Sequence, residues 1–203
     1  MTQAITVQRP TRPPRHVAER PPLLAVGVMI WLGSELMFFS GLFAAYFTIR
    51  AHATVWPPGG TKLDYVQAGI FSVILIVSSP TFQMGVWDAE RGLRRRATTW
   101  IVVSWLLGAG FLANTLYEWH DFASHGHGPG ASAYWSLFFV MTGIHGLHVL
   151  LGLLAMVLLL GRIRGPAGDP GELSVYQAVG YYWHFVDFMW IGIFSCLFLL
   201  KTP

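Results

Sequence analysis

The amino-acid sequence predicts an all-α integral membrane protein, a bundle of five transmembrane helices. Of its 203 residues, 54% are hydrophobic and only 11% are charged, whereas an average soluble domain is about 45–50% apolar and about 25% charged. Five apolar runs reach the roughly 20 residues that a helix needs to cross the hydrocarbon core of a bilayer. Most of the basic residues lie in the gaps between these runs. These observations favour lipid as the solvent around the protein.

The chain begins with a tail, residues 1–22, that contains five Pro and four Arg. Such a composition buries too little apolar surface to offset the conformational entropy lost on folding. We therefore expect a disordered cytoplasmic tail, followed by a transmembrane domain at residues 23–203. The first apolar run, residues 23–49, is too long for the hydrophobic region of a secretory signal and lacks a small-residue cleavage site. It is predicted to be the first transmembrane helix.

Short gaps separate the five predicted helices, and the first and third gaps contain clusters of Pro and Gly. The other four helices are expected at about residues 66–88, 98–119, 132–161 and 174–200. Pro and Gly end helices, and they stand together as Trp56-Pro57-Pro58-Gly59-Gly60 in the first gap and at residues 126–130 in the third. No internal repeat and no second domain are visible.

The distribution of Lys and Arg predicts the orientation in the membrane. Ten of the 13 basic residues lie in the tail, the second gap and the fourth gap, whereas Arg50, Lys62 and Lys201 lie on the other side. Lys and Arg are retained on the cytoplasmic side during insertion. The N-terminus is therefore expected in the cytoplasm and the C-terminus outside. Because the Arg residues flank helices and do not cluster on one folded face, the net charge of +3 does not indicate nucleic-acid binding.

Five ionisable side chains lie near the middle of the predicted helices. They are Glu35 in the first helix, His145 and His148 in the fourth, and His184 and Asp187 in the fifth. An ionisable side chain at the bilayer centre costs about 2.5–3.5 kcal/mol on insertion scales, so each requires an explanation. The two members of each pair stand at positions i and i+3 and so share a helical face. We expect all five to point into the bundle.

Several roles are open for these five residues. The simplest is that they form interhelical hydrogen bonds that fix the packing of the bundle. A proton or ion path, a contact with a lipid headgroup or quinone, and a metal or haem site are the sharper alternatives. The metal signal is weak, because no HExxH or ExxH pattern is present. The single cysteine, Cys196, excludes an internal disulfide and a cysteine metal cluster.

Three segments around these residues resemble subunit III of the haem–copper oxidases in their residues, order and separation. They are Trp31–Phe43 with the Trp56-Pro57-Pro58 that follows, Thr142–Val149, and Tyr182–Asp187 with Trp190 after it. The family-motif positions outside the five ionisable residues are Ser34, Trp56, Pro57, Pro58, Glu118, Gly143, Gly146, Tyr182 and Trp183. The segment before Glu118 departs slightly from the family pattern, since Asn114 stands where Gln is common.

The resemblance implies an architecture and a location as well as a role. The typical family member has seven helices and this chain matches the last five, as do the short forms of actinobacterial oxidases. A multi-pass protein of the plasma membrane is expected. The family's internal lipid cleft lies between its first two helices and the rest, so a bound phospholipid at Glu35 requires another subunit to supply the missing wall.

The resemblance also implies a function without chemistry of its own. Subunit III of an aa3-type cytochrome c oxidase carries no cofactor and supports sustained turnover. Haem a, haem a3 and copper belong to subunits I and II, which pass electrons from cytochrome c to oxygen and pump protons. The implied partners are subunits I and II and membrane lipids, and a larger assembly with a cytochrome bc complex stays open. Our hypothesis is that the five ionisable residues form a mid-membrane polar network that locks the bundle against subunit I.

Other functions are less well supported by the sequence. A subunit III-like component of a quinol oxidase or nitric oxide reductase is the nearest alternative, although Ser34-Glu35 and Trp56-Pro57-Pro58 look closer to the cytochrome c branch. A histidine-box membrane enzyme would need clustered His at the cytoplasmic helix ends. Here His120, His125 and His127 lie in a predicted outer loop, and His145, His148 and His184 lie mid-membrane. A proton-coupled transporter is disfavoured by the lack of an internal repeat.

Overall fold

The computed structural model describes residues 23–58, 64–163 and 171–200. These residues form five long helices, and α5 continues into a π-helical turn at Ser195–Leu199. The helices are α1 (Leu23–Ala51), α2 (Tyr65–Glu90), α3 (Arg94–Ser124), α4 (Ala133–Ile163) and α5 (Glu172–Phe194). All five are long and apolar enough to cross a bilayer, and the described residues contain no strand. The predicted all-α transmembrane bundle is therefore confirmed. The predicted tail, residues 1–22, lies outside the described residues.

Helix α3 extends well beyond the apolar run from which it was predicted. It begins at residue 94 and ends at residue 124, whereas the apolar run indicated 98–119. The added ends carry Arg94, Arg95, Arg96 and Asp121. Charged residues are excluded from the hydrocarbon but can continue a helix into the interfacial layer, where water and headgroups solvate them. The ends of the other helices lie within two residues of the predicted positions, when the π-helical turn to Leu199 is counted as the end of the fifth helix.

Helices α2 and α3 form a tight hairpin. Asp64 caps the start of α2, because its Oδ1 accepts from the backbone N–H groups of Val66 and Gln67 at 3.0 Å each. At the other end, Gly92 adopts a φ of +75°, a conformation that favours glycine because it has no Cβ. The chain reverses there and the Leu93 N–H donates to the Asp88 carbonyl at 2.8 Å.

Helix α5 is the centre of the bundle, in contact with α1, α2 and α4. Its Trp183 is fully buried and fills the space left by two glycines on neighbouring helices. A Cβ added at Gly108 of α3 would lie 2.7 Å from Trp183 Cη2, and one at Gly152 of α4 would lie 2.6 Å from Trp183 Cε3. The glycines thus allow three helices to meet around one indole ring.

Two tyrosine hydroxyls donate hydrogen bonds to backbone carbonyl groups of the π-helical turn that follows α5. The last carbonyl groups of a helix lack intrahelical partners, and inside a membrane they have no water to bind. The Tyr46 hydroxyl of α1 donates to the Cys196 carbonyl, and the Tyr134 hydroxyl of α4 donates to the Leu197 carbonyl at 3.2 Å. Trp56 Nε1 in turn donates to the Tyr46 hydroxyl at 3.0 Å. These bonds join α1, α4 and the segment after α1 to the end of α5.

Helix α1 is the most peripheral of the five. Only three of its residues are buried, Ala25, Phe39 and Tyr46. It contacts mainly α5 and, less extensively, α4. Large apolar side chains such as Ile30 (72% exposed) and Met37 (77% exposed) lie on its outer surface. This surface faces lipid or another membrane subunit.

Gly108→Ala is expected to destabilise the protein by about 1–3 kcal/mol, the usual cost of overpacking a filled core. The added methyl group meets the Trp183 ring, which is buried and held by a hydrogen bond from its N–H. Gly110→Ala on the same helix is the control, since a Cβ there meets nothing within 4 Å. Thermal unfolding in detergent measures the difference, and equal melting temperatures for the two variants would contradict this packing.

Candidate functional site

The contact between Glu35 and His148 joins α1 to α4 inside the membrane-spanning region. Glu35 Oε2 lies 3.2 Å from His148 Nε2, and the two side chains are 22% and 9% exposed, respectively. His148 Nδ1 lies 2.8 Å from the Ile144 carbonyl oxygen. A carbonyl can only accept, so Nδ1 carries a proton. His148 therefore presents Nε2 to the Glu35 carboxyl group, and this contact links the two helices.

Aromatic rings surround this pair. Trp31 of α1 stacks on Tyr182 of α5, with ring centroids 5.3 Å apart and an interplanar angle of 3°. The Tyr182 hydroxyl donates to the His148 carbonyl at 2.9 Å. Phe39 contacts the His148 ring edge-on at 5.2 Å. The pair is therefore held in a largely apolar pocket formed by α1, α4 and α5.

His184 makes a separate set of contacts, with α2. Its Nδ1 lies 2.5 Å from the Ser79 hydroxyl and its Nε2 lies 2.9 Å from Gln83 Oε1. In a neutral imidazole, Nε2 donates to the amide oxygen and Nδ1 accepts from the hydroxyl. Both ring nitrogens are thus satisfied between two helices.

Asp187 lies one turn further along α5 than His184, and only 5% of its surface is exposed. The Ser79 hydroxyl is close to it, but neither carboxylate oxygen completes a hydrogen bond within the described part of the chain. A buried polar group without hydrogen bonds is costly. Glu35 and Glu118 each have a side-chain hydrogen-bond partner, whereas Asp187 has none among the described residues.

His145 is buried among aromatic rings. It is 1% exposed, stacks on Trp190 with ring centroids 4.9 Å apart, and meets Phe111 edge-on at 6.0 Å. Neither ring nitrogen has a hydrogen-bond partner among the described residues. Although His145 and His148 share one side of α4, they contact different neighbours.

The five predicted residues consequently form three sites. Glu35 and His148 are brought together, His184 and Asp187 lie next to α2, and His145 stacks on Trp190. Within residues 23–58, 64–163 and 171–200, no hydrogen bond between the five side chains joins one site to another. The described part of the chain also contains no group of three or more His, Cys, Asp or Glu side chains arranged to hold a metal ion.

Two serines of α2 form polar contacts that sequence reasoning did not find. The Ser72 hydroxyl accepts the Trp190 Nε1–H at 2.9 Å, and the Ser78 hydroxyl accepts the Trp183 Nε1–H at 2.9 Å. Each serine also donates to a carbonyl of its own helix. The only sequence signal is a hydroxyl residue in an apolar run, which is too common to mark a site.

Glu118 belongs to a further polar chain near the opposite end of α2 and α3 from their hairpin. Gln67 Nε2 donates to Asn114 Oδ1 at 2.6 Å, and Asn114 Nδ2 donates to Glu118 Oε1 at 3.1 Å. Thr115 and Thr142 line a small cavity of about 10 Å³ beside this chain, room for about one water molecule. The amide of Asn114 therefore both accepts and donates between α2 and Glu118.

A comparison with known protein families agrees with the resemblance of the motifs. The family model described as cytochrome c oxidase subunit III matches residues 14–201. The chain belongs to the cytochrome c oxidase subunit III family. It is a component of a respiratory haem–copper oxidase complex and, with five apolar helices, a multi-pass protein of the plasma membrane.

Relatives of this subunit III are similar over most of their length. A probable cytochrome c oxidase subunit 3 of Mycobacterium tuberculosis is 44% identical over 187 residues, which is 92% of each chain. Cytochrome c oxidase subunit 3 of Corynebacterium diphtheriae is 41% identical over 205 residues, covering 99% of this chain and all of the relative. The cytochrome bo(3) ubiquinol oxidase subunit 3 of Pseudomonas aeruginosa is 32% identical over 86% of this chain and 83% of its own.

Most of the other motif residues of this subunit III lie at helix contacts or helix ends, whereas Ser34 bonds within its own helix. Gly143 faces Trp119, since an added Cβ would lie 3.4 Å from its ring, and Gly146 faces Leu112 at 3.7 Å. The Ser34 hydroxyl donates to the Trp31 carbonyl of its own helix at 2.6 Å. The Trp56-Pro57 bond is cis, and Pro57 and Pro58 follow the end of α1.

Ser78→Ala is expected to destabilise the protein by about 1 kcal/mol, because the Trp183 N–H loses its acceptor in a buried site. Ser40→Ala is the control, since the Ser40 hydroxyl is exposed and bonds only to the Leu36 carbonyl of its own helix. Both variants are compared by thermal unfolding, alone and combined with Trp183→Phe, which lacks the N–H. The effect of Ser78→Ala should shrink in the Phe background. An unchanged effect there would rule out this hydrogen bond as the cause.

Proposed function

We propose that this chain is the cofactor-free subunit III of an aa3-type cytochrome c oxidase. It stabilises the complex and sustains the proton-pumping reduction of oxygen by subunits I and II, and it is not itself catalytic. Subunits I and II and membrane lipids are its partners. The observation that carries the proposal is the use of the three intramembrane histidines, since each ring is engaged in a contact between helices.

The contacts of His148 and His184 do not fit haem or copper ligation. His148 uses one ring nitrogen for the Ile144 carbonyl and the other for Glu35. His184 uses its two nitrogens for Ser79 and Gln83. A metal would have to displace these partners. Haem a, haem a3 and copper are therefore assigned to the partner subunits.

The relatives support cytochrome c as the electron donor of the complex. The proteins named cytochrome c oxidase subunit 3 from the two actinobacteria are 41% and 44% identical to this chain, whereas the ubiquinol oxidase subunit is 32% identical. A quinol oxidase is the second candidate, and the ubiquinol oxidase relative is the observation in its favour. The electron donor that reduces the purified complex distinguishes the two.

The basic end of the bundle supports a cytoplasmic N-terminus. Arg94 Nη2 donates to the Ile163 carbonyl at 2.8 Å and to Glu172 Oε1 at 3.0 Å. This places the start of α3, the end of α4 and the start of α5 at one end, where Arg91 and Arg96 also lie. Basic residues retained in the cytoplasm would orient this end inward. The tail, residues 1–22, is then cytoplasmic.

The three intramembrane sites have separate structural roles in this proposal. Glu35–His148 fixes the peripheral helix α1 to α4, and His184 fixes α5 to α2, with Asp187 buried beside it. His145 fills the aromatic core beside Trp190. Together the three sites keep the bundle in one shape against subunit I. Three separate sites thus take the place of the single network that the sequence suggested.

An apolar groove beside the Glu35–His148 pair supports a bound lipid. The groove has a volume of about 310 Å³, lies between α1, α4 and α5, and includes the stacked rings of Trp31 and Tyr182. Leu24, Val28 and Leu151 also line it. An acyl chain would fit this lining, with a neighbouring subunit closing its outer side.

Glu35→Ala and His148→Ala oxidases are expected to lose stability and to inactivate sooner during turnover, because each variant breaks the contact that holds α1. The coupling energy between the two residues should be about 0.6–1.7 kcal/mol, as measured for hydrogen bonds between membrane helices. Thermal unfolding of the two variants and their combination gives this energy, and continuous oxygen consumption gives the lifetime.

Glu90→Ala is the matched control, since Glu90 is an exposed carboxylate at the end of α2, hydrogen-bonded to Gln177 at 3.3 Å. It should leave the turnover lifetime unchanged. If the Glu35 and His148 variants kept wild-type stability and lifetime, or if their effects were additive, the proposed role of this pair would be wrong.

A further inference from the structure

Two arginines at the α2–α3 hairpin share one buried carboxylate. Arg91 Nη1 lies 3.7 Å from Asp88 Oδ1 and Arg96 Nε lies 3.5 Å from Asp88 Oδ2. The Asp88 side chain is only 5% exposed, whereas the Arg91 and Arg96 side chains are 70% and 69% exposed. Asp88 therefore holds the two guanidinium groups side by side at the surface, and one positive charge is left over.

A surface cavity of about 120 Å³ lies between these arginines. Besides Asp88, Arg91 and Arg96, it is lined by Met84, Trp87 and Trp100. The guanidinium groups supply several N–H donors in a planar fork that fits the oxygens of a phosphate group. The chemistry of the cavity is that of a phosphate site.

The surroundings of the cavity indicate a lipid phosphate. Trp87 is 50% exposed and Met84 is 40% exposed, and both lie on the outer surface of the end of α2. Trp residues concentrate at the depth of the lipid headgroups. A phosphate bound by Arg91 and Arg96 would continue into acyl chains along this apolar surface. A free phosphate would use the arginines but leave the apolar lining exposed.

We propose that Arg91 and Arg96, positioned by Asp88, bind the headgroup phosphate of an anionic phospholipid. The site lies at the α2–α3 hairpin, on different helices from the groove beside Glu35. Phosphatidylglycerol fits it, because its headgroup carries a net negative charge that the unbalanced guanidinium attracts. A zwitterionic lipid such as phosphatidylcholine is bound more weakly, since its choline group offsets the phosphate charge.

The test uses the whole oxidase complex, delipidated in detergent and titrated with phosphatidylglycerol or phosphatidylcholine while native mass spectrometry counts bound lipids. The variant Asp88→Asn/Arg91→Gln/Arg96→Gln removes the site without leaving a buried carboxylate unpaired. Arg95→Gln is the control. It changes the net charge by the same amount, and Arg95 is exposed in the same turn of α3 but does not line the cavity.

The wild-type complex should bind one more phosphatidylglycerol molecule than the triple variant. Its affinity for phosphatidylglycerol should be at least about tenfold higher than that of the variant, as expected for two arginines at a membrane surface. Arg95→Gln should bind as the wild type does, and excess inorganic phosphate should not displace the lipid. Equal binding by wild type and triple variant, equal loss in Arg95→Gln, or equal affinity for phosphatidylcholine would overturn the proposal. Displacement by inorganic phosphate would show a site for the free anion.

Discussion

The burial of Trp183 is the constraint on which the rest of the bundle depends. Its indole ring occupies the space above Gly108 of α3 and Gly152 of α4, and its N–H donates to Ser78 of α2. A single side chain of α5 thus determines how closely three other helices approach. Because interiors are close-packed, such a ring leaves little freedom for the helices around it.

The residues on either side of Trp183 extend this arrangement to the remaining helix. Tyr182 donates to the His148 carbonyl on α4 and stacks on Trp31 of α1, whereas His184 contacts α2. Three consecutive residues therefore reach all four other helices, counting the contacts of Trp183 with α3. These contacts give the Tyr182-Trp183-His184 segment a packing role that requires no cofactor.

Much of this fold could be predicted from the sequence, because a run of apolar residues long enough to span a bilayer has few alternatives to a helix. The depth of the five ionisable residues also followed from their positions. Their partners did not. The i and i+3 spacing of His145 and His148 indicates a shared face, but that face contacts α1 at one position and the Trp190 ring at the other. The spacing cannot say which helix lies opposite, so one network was expected where three sites exist. Ser72 and Ser78 were missed because a serine in an apolar run carries no signal until its indole partner is known.

Packing and hydrogen bonding, rather than a cofactor, are thus the means by which we expect this subunit to act in its oxidase. The most direct test is to strip this chain from the purified complex with a harsher detergent, and then to record the haem spectrum and the turnover lifetime before and after adding the chain back. We predict that the haem a bands stay with the larger subunits, that the stripped complex inactivates sooner, and that the added chain restores its lifetime. Haem or copper that leaves with this chain, or a lifetime that does not change, would contradict this account.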